Sequence, residues 1–92
     1  MPESKQAPCA LCDTMAQFEH HDGNQTRYYE CPKCRQYAIT ESAVRHLEKH
    51  PESKPALAKK AAEMPHDTKI IKFFINQVGI IDLEVVSRNK YS

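Results

Sequence analysis

The chain has 92 residues and a formal charge of +1, with 13 Lys/Arg against 12 Asp/Glu and five histidines. That length supports one small domain, or one domain with a metal-clipped end, whose core is marginal without a metal or a partner chain. The near-neutral total excludes a protein that gathers polyanions by overall charge, and no stretch approaches the roughly 20 apolar residues of a membrane helix.

Residues 1–8 (MPESKQAP) lack the apolar run of a secretory signal and are expected as a loose tail on a cytoplasmic chain. Cys9-Ala-Leu-Cys12 then sets two thiols on one tight turn. Met15 to His21 (MAQFEHH) and Thr26 to Glu30 (TRYYE) predict two short strands. Asp22-Gly23-Asn24-Gln25 lies between them, and Asp-Gly signals a hairpin. Cys31-Pro-Lys-Cys34 repeats the thiol turn, and Tyr37-Ala38-Ile39 predicts a third strand. Thr40 can cap a helix whose Ala43, Val44 and Leu47 share one face, with Pro51 as its end. Pro55 suits a first helical position, and Ala56 to Met64 (ALAKKAAEM) is strongly helix-forming. Leu57, Ala61 and Met64 line one face of it, Pro65 stops it, and His66 sits at the break.

KIIKFFINQV, residues 69–78, fits two descriptions. A helix capped by Asp67 and closed by Gly79 puts Lys69, Lys72 and Asn76 on one face. A hairpin with the loop Gln77-Val78-Gly79 pairs Ile71 with Val85, Phe73 with Leu83 and Ile75 with Ile81, and sets Lys72 opposite Glu84. Both strands agree with one register, and β-branched and aromatic residues dominate, so the hairpin is preferred.

The cysteines carry the chemistry. Four of them in the pattern Cys9-x2-Cys12-x18-Cys31-x2-Cys34 have the spacing of a four-cysteine zinc site. Each C-x-x-C turn presents two sulfurs on one side, and two such turns at the ends of a hairpin complete a tetrahedron at Zn–S distances of about 2.3 Å. In a reducing compartment such pairs point to metal rather than to disulfides. A thioredoxin-like dithiol would have one C-x-x-C beside a βαβ pattern, which this chain lacks.

From Cys9 to about Leu47 the chain resembles a bacterial zinc ribbon: two knuckles around a hairpin, then a short strand and a helix. "YYECPKCRQYAITESAVRHL" in particular is similar to a largely uncharacterised class of small bacterial ribbon proteins. Their second knuckle runs Cys-Pro-x-Cys-Gly, then an aromatic, Ile-Thr and a small-residue helix. The resemblance covers just under half the chain. It implies Cys9, Cys12, Cys31 and Cys34 as ligands of one structural Zn2+, and it implies no settled activity. Many ribbons place Gly after the second Cys of a knuckle, in a left-handed backbone; here Asp13 and Arg35 stand there. Arg takes that conformation less readily than Asp, so the second knuckle is expected to be strained or differently turned. The fold class that follows is α+β: an N-terminal zinc ribbon (β-hairpin plus third strand), two short helices and a C-terminal β-hairpin. Its parts are a tail over 1–8, the ribbon with its helix over 9–50, and a helix plus hairpin over 51–92 that packs on the ribbon or dimerises it.

A competing set, Cys31, Cys34, His46 and His50, nearly matches a two-cysteine, two-histidine finger. Eleven residues separate Cys34 from His46, where a finger has about 12. One missing residue turns a helix by about 100° relative to the ligands, and Cys9 and Cys12 would be left over. His46 and His50 are therefore expected on an exposed helix face, and His20 and His21 within the hairpin.

A saturated four-thiolate site has no open position, which favours a structural metal over an enzyme. The two glycines, Gly23 and Gly79, are too far apart for a phosphate loop, and Ser42 with His46 is ordinary helix surface. The expected function is a small non-enzymatic zinc protein acting as a protein-interaction or regulatory module. Its apolar stretch Ile70 to Val86 would serve a protein partner, a homodimer or simply the core. No membrane or small-molecule partner is indicated. The alternative is a nucleic-acid-binding regulator. Residues 31–60 hold seven Lys/Arg against three Glu, and Lys33, Arg35, Arg45, Lys49, Lys54, Lys59 and Lys60 lie near Tyr28, Tyr29 and Tyr37. Such a mixture suits single strands, although the near-neutral total weakens it. A thiol-exchange role is the least favoured.

Overall fold

The computed structural model describes residues 5–21, 23, 25–63 and 69–91. Six strands form a single sheet in chain order, β1 (Lys5–Pro8), β2 (Met15–His21), β3 (Thr26–Cys31), β4 (Arg35–Thr40), β5 (Lys69–Ile75) and β6 (Ile81–Ser87). Neighbours run antiparallel except at the β4–β5 join, which is parallel through Tyr37↔Ile71 and Ile39↔Phe73. A parallel join needs a long crossover. Two helices provide it, α1 (Glu41–Lys49) and α2 (Lys54–Glu63), with a 3-10 turn (Pro51–Ser53) between them.

The α+β class and its element order are as expected, and so is the terminal hairpin. Ile71↔Val85, Phe73↔Leu83, Ile75↔Ile81 and Lys72↔Glu84 all pair, so the helical description of residues 69–78 is excluded. Gly79 takes a φ of 85° at the turn. The turn has a second organiser in Asn76, whose Oδ1 accepts from the Val78 and Ile80 N–H groups at 3.0 and 3.2 Å. Residues 5–8 depart from the expected loose tail. They form β1, pairing Lys5 with Phe18 and Ala7 with Ala16, because the first thiol turn folds the chain back along β2. The strand expected over 37–39 runs from Arg35 to Thr40. Residues 9–50 and 51–92 do not form separate sheets, since β5 continues the sheet from β4. The expected roles of Asp22, Asn24, Met64, Pro65, His66 and Asp67 lie outside the described residues.

Local chemistry explains the helices. The Thr40 hydroxyl accepts from the Ala43 N–H at 3.2 Å, which satisfies one free donor of the first turn of α1. Ala43, Val44 and Leu47 bury one face, and His46 and Lys49 place basic groups in the last turn, where the helix dipole favours them. Pro55 falls in the first turn of α2, where its missing N–H costs nothing. Both helices lie on one face of the sheet. There Phe18, Tyr29, Tyr37, Ile39, Ile71 and Phe73 pack with Ala43, Val44, Leu47, Ala61 and the cysteines. The opposite face has a smaller cluster of Tyr28, Ala38 and Ile70 with Val86 against it. From the C-terminal 3-10 turn (Arg88–Tyr91), Arg88 Nη1 donates to Gln36 Oε1 at 3.3 Å.

Candidate metal centre

The two thiol turns meet at one end of the sheet. The first connects β1 to β2 and is closed by Cys9 N–H donating to Thr14 O at 2.8 Å and Asp13 N–H donating to Cys9 O at 3.1 Å. The second connects β3 to β4. Because β2 and β3 pair antiparallel, the start of one and the end of the other lie side by side, so strand pairing brings the turns together. All four Sγ atoms lie within 4.8 Å of one another. Cys9 and Cys34 sulfurs are 3.8 Å apart, and those of Cys12 and Cys31 are 3.4 Å apart. A tetrahedron with metal–sulfur bonds of about 2.3 Å has sulfur–sulfur edges of about 3.8 Å, so the four thiols fit a tetrahedral metal. Cys9, Cys31 and Cys34 are buried and Cys12 is half-buried.

Asp13 and Arg35, each following the second Cys of its turn, have φ of 61° and 67°. Both are left-handed, so the second turn is not turned differently from the first at this position, and it carries strain at Arg35. No glycine relieves it.

The environment splits the thiols. Burial pushes Cys9 up to about 11, only partly offset by the Tyr37 hydroxyl and the Leu11 and Cys12 N–H groups. Burial, followed by the neighbouring thiols, holds Cys34 far above the ordinary range. Burial also opposes ionisation of Cys12, but hydrogen bonds from the Thr14 hydroxyl and N–H, with help from Cys34 and Cys31, bring it down to about 7. Of Cys9, Cys12 and Cys34, Cys12 is therefore the one that ionises most readily without metal. A bound cation would reverse this order, since a coordinating thiol is deprotonated outright.

The sequence reads Tyr37 as a strand residue and as part of a base-stacking surface, not as a partner of the thiols. Its hydroxyl lies 3.0 Å from Cys9 Sγ, and the residue is fully buried. It also belongs to a row of rings across four strands. Phe18 stacks on Tyr29 at 5.2 Å, Tyr29 on Tyr37 at 5.2 Å, and Phe73 meets Tyr37 edge-on at 5.9 Å. One signal in the sequence pointed here: a buried tyrosine needs a hydrogen-bond partner, but nothing in the spacing says which. A second feature with no sequence signal is Arg27. It grips both carboxylate oxygens of Glu41 at the start of α1, donates to the Tyr29 hydroxyl at 3.0 Å and lies 5.2 Å over the Phe18 ring.

The finger set does not assemble. Among the described residues the four cysteines form the only group of three or more His, Cys, Asp or Glu placed to share an ion. His46 and His50 lie against each other instead, with ring centres 4.7 Å apart and planes tilted by 38°. His20 Nε2 lies 3.6 Å from Glu41, and His21 Nε2 lies 3.4 Å from Glu19. Lys33, Arg35, Arg45, Lys49, Lys59 and Lys60 are all exposed, on the second thiol turn and its exit, α1 and α2. Lys54 pairs with Asp13 at 3.5 Å. Tyr28, Tyr29 and Tyr37 are 6, 1 and 0% exposed, so these three form no base-stacking platform: Tyr29 and Tyr37 are covered on the helix side of the sheet, and Tyr28 packs with Ala38 and Ile70 on the other. No helix among the described residues is long and apolar enough to cross a membrane. Compared with models of protein families, with curated proteins and with solved structures, the chain gives no match.

Proposed function

We propose that the chain is a non-enzymatic zinc protein in which one structural Zn2+, held by Cys9, Cys12, Cys31 and Cys34, fixes the sheet end of a protein-interaction module. The observation that carries this is the convergence of four thiols within 4.8 Å. Four thiolates fill a tetrahedral ion, so no position is left for water or substrate. When bound, the ion supplies folding free energy rather than chemistry. The residues around it hold and shield: Tyr37 orients Cys9, Thr14 supports the Cys12 thiolate, and Leu11 walls off solvent. A reducing compartment such as the cytoplasm suits four free thiols.

Protein is favoured over nucleic acid as the partner. The burial of the tyrosines removes the stacking half of the nucleic-acid reading, and exposed cations with a total charge of +1 support only weak, salt-sensitive contact. Native mass spectrometry of wild type and of Cys9→Ser/Cys12→Ser tests the metal. One zinc on wild type and none on the double variant is the expected result. Tight zinc on the double variant would transfer the ligand set to Cys31, Cys34, His46 and His50 and end the proposal. Iron in place of zinc would keep the ligands and change the metal.

A further inference from the structure

Resting on the protein-interaction reading above, we infer that the free edge of β6 docks an extended segment of a partner protein. That segment carries Lys or Arg at alternate positions, with β-branched or other apolar residues between them.

The sheet has two edges, and they are built differently. β1 has four residues, begins with Lys5 and ends with Pro8. A short strand with a lysine and a proline is how natural sheets blunt an edge. β6 has seven residues, IDLEVVS, with no proline and no basic residue, and no described strand lies on its outer side. Its hairpin also carries three of the four exposed large hydrophobics among the described residues: Val78 at 79%, Ile80 at 56% and Val85 at 52%.

The ladder sets what the edge offers. Asn76 N–H bonds Ile80 O at 2.9 Å, so the inward-bonded positions recur every second residue at Asp82, Glu84 and Val86. Ile81, Leu83, Val85 and Ser87 then turn their N–H and C=O groups outward. Leu83 N–H meets only the carboxylate of its neighbour Asp82, at 2.8 Å. A strand added here would find backbone partners at every second residue, displacing the Asp82 carboxylate from the Leu83 N–H and leaving it for a cation of the partner.

The side chains set the partner's chemistry. Residues opposite each other in a sheet share a face. Asp82 and Glu84, both exposed, occupy the face away from the helices. Ile81, Leu83 and Val85 occupy the helix-covered face. An incoming strand therefore meets two acids on one side and a partly open apolar row on the other. A second copy of this chain fits poorly. Full antiparallel overlap of two β6 strands puts Glu84 against Glu84, and a slip of two residues toward the turn puts Asp82 against Glu84. Like charges directly opposite are destabilising.

The test is a 15N NMR titration of the full chain, its zinc content measured beforehand, with two short capped peptides. One alternates Lys and Val, the other Glu and Val. The Lys-Val peptide should shift and protect the amides of Ile81, Leu83, Val85 and Ser87, and bind about tenfold more tightly than Glu-Val. Asp82→Lys/Glu84→Lys should invert that preference. If the reversal disturbs β6 itself, Asp82→Asn/Glu84→Gln removes the charges at constant shape and should bring the peptides to equal affinity. Equal binding to wild type, shifts confined to β1, the helices or the thiol turns, or a preference that survives both variants overturns the inference. So does concentration-dependent dimerisation through β6 without peptide, which would assign the edge to a second copy. Failure here with one zinc bound removes the edge assignment alone, whereas a chain without zinc undoes the metal reading.

Discussion

Arg35 holds a φ of 67° on an exposed position beside a metal-ligand candidate. A side chain there costs about 1 kcal/mol or more, so Arg35→Gly should stabilise the fold and raise Tm by roughly 4–8 °C. Arg35→Val, β-branched, should lower it, and thermal unfolding followed by circular dichroism reads both. Tyr37→Phe keeps the ring row and removes the hydroxyl 3.0 Å from Cys9. Zinc affinity should fall about tenfold, as for the loss of other outer partners of a metal site, in competition with a chromophoric chelator. The thiols make opposite pH predictions with and without metal. Cys9, raised to about 11 by burial, stabilises the metal-free fold below its ordinary value near 9, and that contribution is lost as pH climbs from 9 toward 11. The zinc-loaded fold should instead weaken as pH falls, because protons compete for the sulfurs. Zinc uptake at pH 8 should release protons, with Cys12 contributing least because it already ionises at about 7. Calorimetry in buffers of different ionisation enthalpy counts them, and release of none would contradict thiolate ligation.

Elements differ in how openly their sequences declare them. The β5–β6 hairpin was legible because both its strands obey one register, from Ile75↔Ile81 to Ile71↔Val85. The capped α1 was legible through Thr40 and the Ala43–Val44–Leu47 face. β1 was not, because KQAP has a proline and no apolar alternation; its pairing is imposed by the thiol turn that follows. Within the candidate site, spacing pointed to the four cysteines. The hydroxyl of Tyr37 and the Arg27–Glu41 grip arise from pairing across strands and helix, which local pattern does not encode. Phe73 shows how much rests on one element. It is fully buried in β5, packs against Tyr37 and sits at the parallel join. Phe73→Ala should cost about 3–5 kcal/mol, much of what a domain of this size has in reserve. Urea denaturation should show the loss in the midpoint, and retention of wild-type stability would mean that β5 is not integral to the sheet.

At the scale of the whole molecule, the strands that carry the thiol turns and the C-terminal hairpin meet within the sheet at the β4–β5 pair. The parallel pair Tyr37↔Ile71 was the hardest feature to foresee, since nothing in either segment names its partner and the helices between them conceal the adjacency. That pairing also sets an order of events on the ribosome. Everything needed for the cysteine cluster emerges by Cys34, and β1, β2 and β3 pair only with near neighbours in the chain. The second partner of β4, β5, arrives only after both helices. During that interval the outer side of β4, with Tyr37 and Ile39 on it, is an open sheet edge of the kind that recruits strands from other nascent chains. Early capture of zinc would hold the strands in place while the crossover is still being synthesised, so scarcity of metal during translation should appear as aggregation of newly made chains rather than as loss of those already folded.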